Sequence, residues 1–521
     1  MRRILLFIAI LCLFSSRASA QSGAAALISP ELARQVGLER MWYTQLGLDR
    51  GRGQVAGVCL QVSAVQSHTV FQISQDGRRY VFSQRDRNAF GKEIGVEGAK
   101  AEADNKAEEI KKQLQAAGKG PHSGPLPEGE GRENAVGPAI EKFVVPKMTL
   151  YATSQRGTVH AIDAETGRTL WTTSIGNPMY PTTPPAANER YIAVCNGSTL
   201  YIMLASDGAV IWTRAAVSTP GAGPALSDDY VFLPMVNGQV ESFLLEDPKR
   251  PAALYKSYGR TLVQPVVSSN SVAWPTDNGS LYVALAHATG LRFRMKASDA
   301  INAAPAFLEP DKMFTASIDG YVYCLNERKG NVIWRFTTGE SILSSPVALD
   351  NNVYVISQRA NMFAIDASTA AERWVTGGIR HCIAGNDKRL YCLDDRGDLA
   401  ILDVAGGSRL GALPAAASNV PVYNPQTDRV FLMTSTGLVQ CLREINHPWP
   451  VVHYLVEPQQ KVAKKTPGDK GKAEEKKEPA QTTDPFGAPM ENRPAAPPSG
   501  ADPFADPGAK PAAGADPFAT P

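Results

Sequence analysis

The chain has 521 residues, 43% hydrophobic and 20% charged, with a formal net charge of +2. That balance supplies a sizeable apolar core and leaves no electrostatic footprint for nucleic acid or an anionic membrane surface. It describes a soluble globular protein with polar attachments.

Residues 1–20 read as a signal peptide: "MRR" is the positive n-region, "ILLFIAILCLF" the apolar h-region and "ASA" the cleavage site. The apolar run is short for a bilayer span, and no later stretch is continuously apolar enough for one. Leu11 stands before Cys12, where a lipoprotein signal places a small residue, so no lipid anchor is expected. The mature chain is expected to be exported, periplasmic or envelope-associated. Cleavage leaves Cys59, Cys195, Cys324, Cys382, Cys392 and Cys441. Most sit in β-type runs such as "YVYCL" and read as buried free thiols. Cys382 and Cys392 alone are spaced for a cross-strand bridge.

Residues 21–92 carry β-type runs, "RMWYTQLGL", "QVAGVCLQVS", "HTVFQIS" and "RRYVFSQ". Residues 93–145 follow as a charged helix, "AEADNKAEEIKKQLQ", and a Gly/Pro-rich flexible linker. The helix shows no apolar face and is expected on the surface. From 146 to 454 the chain repeats. Turn glycines recur at Gly157, Gly197, Gly238, Gly279, Gly320, Gly397 and Gly437, with Ala360 and Asn361 at the missing place, an average of 40 residues apart. Each copy alternates apolar and polar residues with period two and breaks into four short strands, the pattern of a propeller blade. The expected fold is all-β, an eight-bladed β-propeller of four-stranded blades, with seven blades as the runner-up. Residues 455–521 are rich in Lys, Glu, Pro and Ala, with "DPF" at Asp484, Asp502 and Asp516, and read as a disordered tail. Phe486, Phe504 and Phe518 are candidate stickers for a partner; a plain spacer is the simpler reading.

"AIDAETGRTLW" (161–171) returns as "AIDASTAAERW" (364–374). Asp163 and Thr166 suit hydrogen bonds to turn amides, Gly167 suits a positive φ, and Trp171 suits the seam between blades. The pattern Ala-x-Asp-x-x-Thr-Gly-x-x-x-Trp resembles the tryptophan-docking motif of PQQ-like β-propeller repeats, over about 300 residues. Asp366 and Trp374 repeat it, with Ala370 for Gly; Trp212 and Trp334 keep Gly and Trp. "ALAHATGLRFR" places Arg294 at the Trp position, and "ILDVAGGSRLG" keeps Asp403 and Gly407 but ends in Gly411. The third and eighth copies are degenerate. The eighth lacks an outer strand, and "RMWYTQLGL" matches the missing piece, so Trp42 is expected to close the ring.

The resemblance implies either quinone-dependent dehydrogenases, which hold PQQ and calcium on the axis, or a non-catalytic, BamB-like branch that helps assemble outer-membrane proteins. A residue present in most blades serves packing, so Asp163, Asp366 and Asp403 are assigned to structure. An adjacent Cys-Cys pair, CxxCH, HExxH, GxSxG and P-loop patterns do not occur. His160 reads as a packing histidine, and Asn196 and Asn278 as turn residues despite their NGS context. Trp-Asp dipeptides, which would point to WD40 repeats, are missing, and Gly-Gly doublets do not recur from copy to copy as kelch repeats would have them. No catalytic, cofactor or metal residue is assigned, and no cofactor is expected. The expected function is a non-catalytic exported scaffold binding envelope proteins through its loops. A PQQ-dependent oxidoreductase and a small-ligand or glycan-binding propeller are the alternatives.

Overall fold

The computed structural model describes residues 27–49, 53–75, 78–88, 90–116 and 139–454. The expected signal peptide, the linker and the expected tail fall outside the described residues. Among the described residues the strands form eight antiparallel sheets, seven of four strands and one of five, the architecture of an all-β propeller.

The first sheet contains β2 (Val55–Gln75), β3 (Arg78–Ser83), β4 (Ile140–Ser154), β5 (Thr158–Asp163) and β6 (Thr169–Ser174), in the order β3-β2-β4-β5-β6. The runs read separately as "QVAGVCLQVS" and "HTVFQIS" are one strand, β2, kinked by a bulge where Val62 and Ser67 lose register with β4. Its first half is the innermost strand of the sheet; its second half, with β3 and the start of β4, projects beyond the sheet as an arm. β4 therefore runs across the boundary expected at residue 146. The helix α2 (Gly95–Ala116) follows the short helix α1 (Pro30–Gln35) in the chain and packs on the arm. Here the sequence expectation is corrected. Ala99, Ala103, Ala107, Ile110 and Leu114, three and four residues apart, form an apolar face against Phe71, Ile73 and Phe82. Alanines carry little hydrophobicity each, so the face is weak in a charged helix, yet their small size lets the helix lie close on the strands.

The second to seventh sheets follow in chain order between Ala186 and Leu413, each four consecutive strands. The eighth is assembled from both ends of the described chain. Val420–Pro421, Val430–Met433 and Leu438–Glu444 supply three strands, and β1 (Leu38–Gln45) adds the outermost, pairing antiparallel with Leu438–Glu444. Innermost strands are only two or three residues long in six of the sheets and often begin just after a proline, as at Pro185, Pro265, Pro305 and Pro346. Proline is tolerated there because one side of an innermost strand faces the axis and needs no ladder donor.

Antiparallel order fixes the two faces. Hairpins between the second and third strands, and the connectors from each outermost strand to the next sheet, share one face, called here the connector face. The remaining turns and the arm lie on the other, the arm face. Between sheets lie apolar clusters, each drawn chiefly from two neighbours.

Candidate functional site

The turn at 163–168 shows what the repeated motif does locally. Asp163 Oδ1 accepts from the amides of Glu165 (3.0 Å) and Thr166 (2.9 Å), and Gly167 takes φ +73°. Asp366 repeats this with Ser368 and Thr369, both at 2.9 Å, while Arg373 adds an ion pair. The Ser368 hydroxyl (2.6 Å), then Arg373 and these amides, hold the Asp366 carboxyl well below the usual carboxylate range. Asp403 Oδ2 accepts from Gly406 at 2.8 Å. These carboxylates are occupied with their own turns, on separate sheets.

Each indole reaches across to the next sheet. Trp42 Nε1 donates to the Ala164 carbonyl (3.0 Å), Trp171 to Ala205 (3.1 Å), Trp212 to Leu245 (3.3 Å), Trp334 to Ala367 (3.2 Å) and Trp374 to Val404 (2.8 Å). Trp42 lies on Gly167: a Cβ there would stand 2.5 Å from the ring. Gly208 and Gly407 sit under Trp171 and Trp374 in the same way. A bulge just beside the Trp position recurs in β1 and in the other Trp-bearing outer strands, or in their partners. Trp42 thus shares the register of the repeat tryptophans.

Three seams use other residues. In the third sheet Tyr255 takes the Trp place, its hydroxyl accepting from Gly290 N at 3.1 Å. In the fourth, Phe293 and not Arg294 occupies it: Phe293 pairs with Val283 as Trp171 pairs with Ala161, and it lies over Gly330. The sequence alignment is off by one because Thr289-Gly290 imitates Thr-Gly one residue late. In the seventh, Gly411 stands at the Trp place, and Val36 fills the space, its Cγ1 2.8 Å from where a Cβ on Gly411 would be. Ile28, Ala33 and Leu38 extend that plug between the seventh and eighth sheets.

The seam from the eighth sheet to the first also holds a buried charge. Arg429, fully buried, pairs with Glu165 (3.3 Å) and Asp428 (3.5 Å) and donates to the carbonyls of His447 and Pro448. Burial pushes the Glu165 and Asp428 carboxyls up, and Arg429 draws them back. Residues 445–454 run on as a strap over the arm face. Trp449 donates to Gln72 of the arm (3.0 Å), and Tyr454 reaches the axis.

His160 is buried and bonded to Thr172, and burial lowers its pKa. Asn278 sits in a hairpin turn, and Asn196 is the last strand residue before one. All six described cysteines are free; five are buried, and Cys382 lies directly opposite Cys392.

A cavity of about 510 Å³ runs down the axis, walled by the innermost strands of all eight sheets. Glu189, Asp228 and Glu309 line it, and no lysine or arginine does among the described residues. PQQ, a tricarboxylate, would meet three carboxylates and no compensating cation. Nor do the described residues hold any group of three or more His, Cys, Asp or Glu placed for a metal ion. The residues present do not fit PQQ with calcium.

The connector face carries a group of exposed apolar side chains. Met179 (82% exposed), Val217 (76%) and Tyr258 (74%) crown the connectors that leave the first, second and third sheets, joined by Tyr180, Val236 and Leu262. The second and third of these connectors touch, Gly221 abutting the Thr261 carbonyl, and Val236 N of the third sheet's hairpin donates to Thr219 O (3.0 Å). Apolar patches of this kind, spread over three successive connectors, suit the burial that protein partners provide. Sequence reasoning placed function in the loops without picking these residues; the signal, apolar side chains inside Pro/Gly-rich connectors such as "GNPMYPTTPP", was there.

A repeat-family model described as outer membrane protein assembly factor BamB matches residues 133–272 and 277–422. Among curated proteins, the outer membrane protein assembly factor BamB of Yersinia pestis is 20% identical over 257 residues, 45% of this chain and 65% of that protein. The tetrathionate hydrolase of Acidithiobacillus ferrooxidans is 27% identical over 272 residues, 46% of this chain and 48% of that protein. The chain spans less than two thirds of the length of either relative. The crystal structure of BamB from Moraxella catarrhalis superposes with a TM-score of 0.49 at 16% identity, covering 57% of this chain and 92% of that one.

Proposed function

The chain belongs to the family described as outer membrane protein assembly factor BamB, and from that premise we propose that it is a non-catalytic, exported scaffold that docks an envelope protein engaged in outer-membrane protein assembly. The observation that carries this reading is the apolar patch of Met179, Tyr180, Val217, Val236, Tyr258 and Leu262 on the connector face. Burying such residues against a partner contributes about 25 cal/mol per Å² of apolar surface. The repeated carboxylates serve turns and the indoles serve seams, so Asp163, Gly167, Trp171, Trp212, Trp334, Asp366, Trp374 and Trp42 form a docking framework. That framework presents the connectors at fixed spacing. Export rests on the signal-like residues 1–20, and no described helix is long and apolar enough to cross a membrane.

The test is site-specific photocrosslinking in the native envelope. A crosslinker at Val217 or Tyr258 should trap a component of the outer-membrane assembly machinery, and Met179→Asp with Leu262→Asp beside it should abolish the adduct. A crosslinker at Asp387, exposed on the arm face, should trap none. Equal adducts from both faces, or none from Val217 and Tyr258, would refute the assignment.

A further inference from the structure

The axial cavity has a chemistry that protein docking on the connector face leaves unused. Its three carboxylates come from separate sheets: Glu189 from the second, Asp228 from the third and Glu309 from the fifth, each in a turn at the arm face. Two are held in place by neighbours. Glu189 accepts from Ser63 Oγ (2.7 Å) and Ala64 N (2.9 Å), and Glu309 from Ser269 Oγ (3.1 Å). Between the carboxylates the wall is alanine, valine and proline from the innermost strands. Phe307 and Tyr454 add aromatic rings; burial, and after it the nearby Glu309 charge, push the Tyr454 hydroxyl up to about 12. At the connector-face end Gln264 spans the sheets, its amide donating to the carbonyls of Pro185 (3.3 Å) and Pro224 (2.7 Å).

We propose that this cavity binds an aliphatic polyamine, a flexible organic cation with ammonium groups separated by methylenes. Three features select that class. The carboxylates face no lysine or arginine among the described residues, and the one lining histidine, His287, is tied to Asp229 and the Ser269 carbonyl. The carboxylates are spread over different sheets with no cluster of three ligand side chains, so a compact metal ion finds no coordination sphere. A ligand with several spaced charges instead meets one carboxylate per ammonium, while its methylenes lie along the apolar wall. Aromatic faces beside the carboxylates attract ammonium groups further. The volume suits a small molecule. Gln264 closes the far end, so entry is from the arm face, past the strap that carries Tyr454.

The test titrates spermidine into the full chain by isothermal calorimetry. Saturable binding is expected at low ionic strength, at least tenfold weaker in high salt, because the attraction between exposed charges is screened. Succinate and glucose should give no saturable heat. Asp228→Asn with Glu309→Gln should weaken binding at least tenfold while the melting temperature stays within error of the parent. Spermidine should also protect Asp228 and Glu309 of the unaltered chain from carbodiimide modification, read by peptide mass spectrometry, which needs no variant to fold. No saturable heat, equal binding by the double variant, insensitivity to salt, or absence of protection would each overturn the proposal. Loss of the protein adduct at Val217 and Tyr258 would leave it standing, because the two sites lie on opposite faces.

Discussion

Trp42→Ala should loosen the whole ring, because that indole joins the eighth sheet to the first. Trp42 is 9% exposed, donates to Ala164 O, lies on Gly167 and faces Phe431 at 6.2 Å. A buried Trp removes about 150–250 Å² from water, an upper bound of about 4–6 kcal/mol at 25 cal/mol per Å². Measured truncations of buried Trp run to about 3–5 kcal/mol, so about 4 kcal/mol is expected here. At roughly 2 °C per kcal/mol for a large domain, the melting temperature should fall by about 8 °C. Tyr43→Ala is the control: same strand, 55% exposed, and expected to cost under about 0.5 kcal/mol. Gly167→Ala should also destabilise, since its Cβ would meet the Trp42 ring and its φ is +73°. Combined with Trp42→Ala it should cost less than the sum, because the clash is gone. Urea unfolding followed by circular dichroism reads all four proteins. A loss below about 1 kcal/mol for Trp42→Ala, or one no larger than for Tyr43→Ala, would refute the reasoning.

Ala360 and Ala370 hold φ of +63° at places where the repeat elsewhere puts glycine. Ala360→Gly and Ala370→Gly should each raise stability by about 0.5–1 kcal/mol, the reverse of the usual effect, measured by the urea midpoint. Asp366 has a folded pKa below its unfolded one. Its contribution is therefore full above the ordinary carboxylate pKa and fades as pH falls through the acid range. Asp366→Asn should lower stability at pH 7 and flatten the slope of stability against pH between about 5 and 2, followed by thermal melts across that range.

The propeller was legible because its period is local: strands, hairpin glycines and Trp recur every 40 residues on average between Gly157 and Gly437. Residues that depart from the period were harder to read. Phe293 was hidden by Thr289-Gly290, which imitates the motif one position late, and Tyr255 by a third copy whose outer strand is only four residues long. Val36 carried no signal at all. It lies 375 residues before Gly411, and only the folded chain brings the two together. The alanine face of α2 was missed for a related reason: its partner is an arm built from β2, β3 and β4. The connector patch depends on exposure, a tertiary property; Met179 and Val217 are ordinary apolar letters until the sheets bury their neighbours. The carboxylates of the cavity come from turns about 40 and 80 residues apart, and each alone reads as a solvated loop.

Because Leu38 pairs with Glu444, the clock of synthesis matters for this chain. At roughly 5–20 residues per second, on the order of 20–80 s passes between the making of the first edge and that of its mate. Throughout that interval the nascent ribbon is a row of sheets with one end unlatched, and Met41, Trp42 and Leu46 have no roof. Partial products ending anywhere before Leu438 cannot latch, so a ribosome stall or a nonsense codon late in the message leaves an open, sticky crescent. A helper that shields residues 38–46 early would act on the slowest and most hazardous stage of this molecule's life, long before any partner meets the connector face.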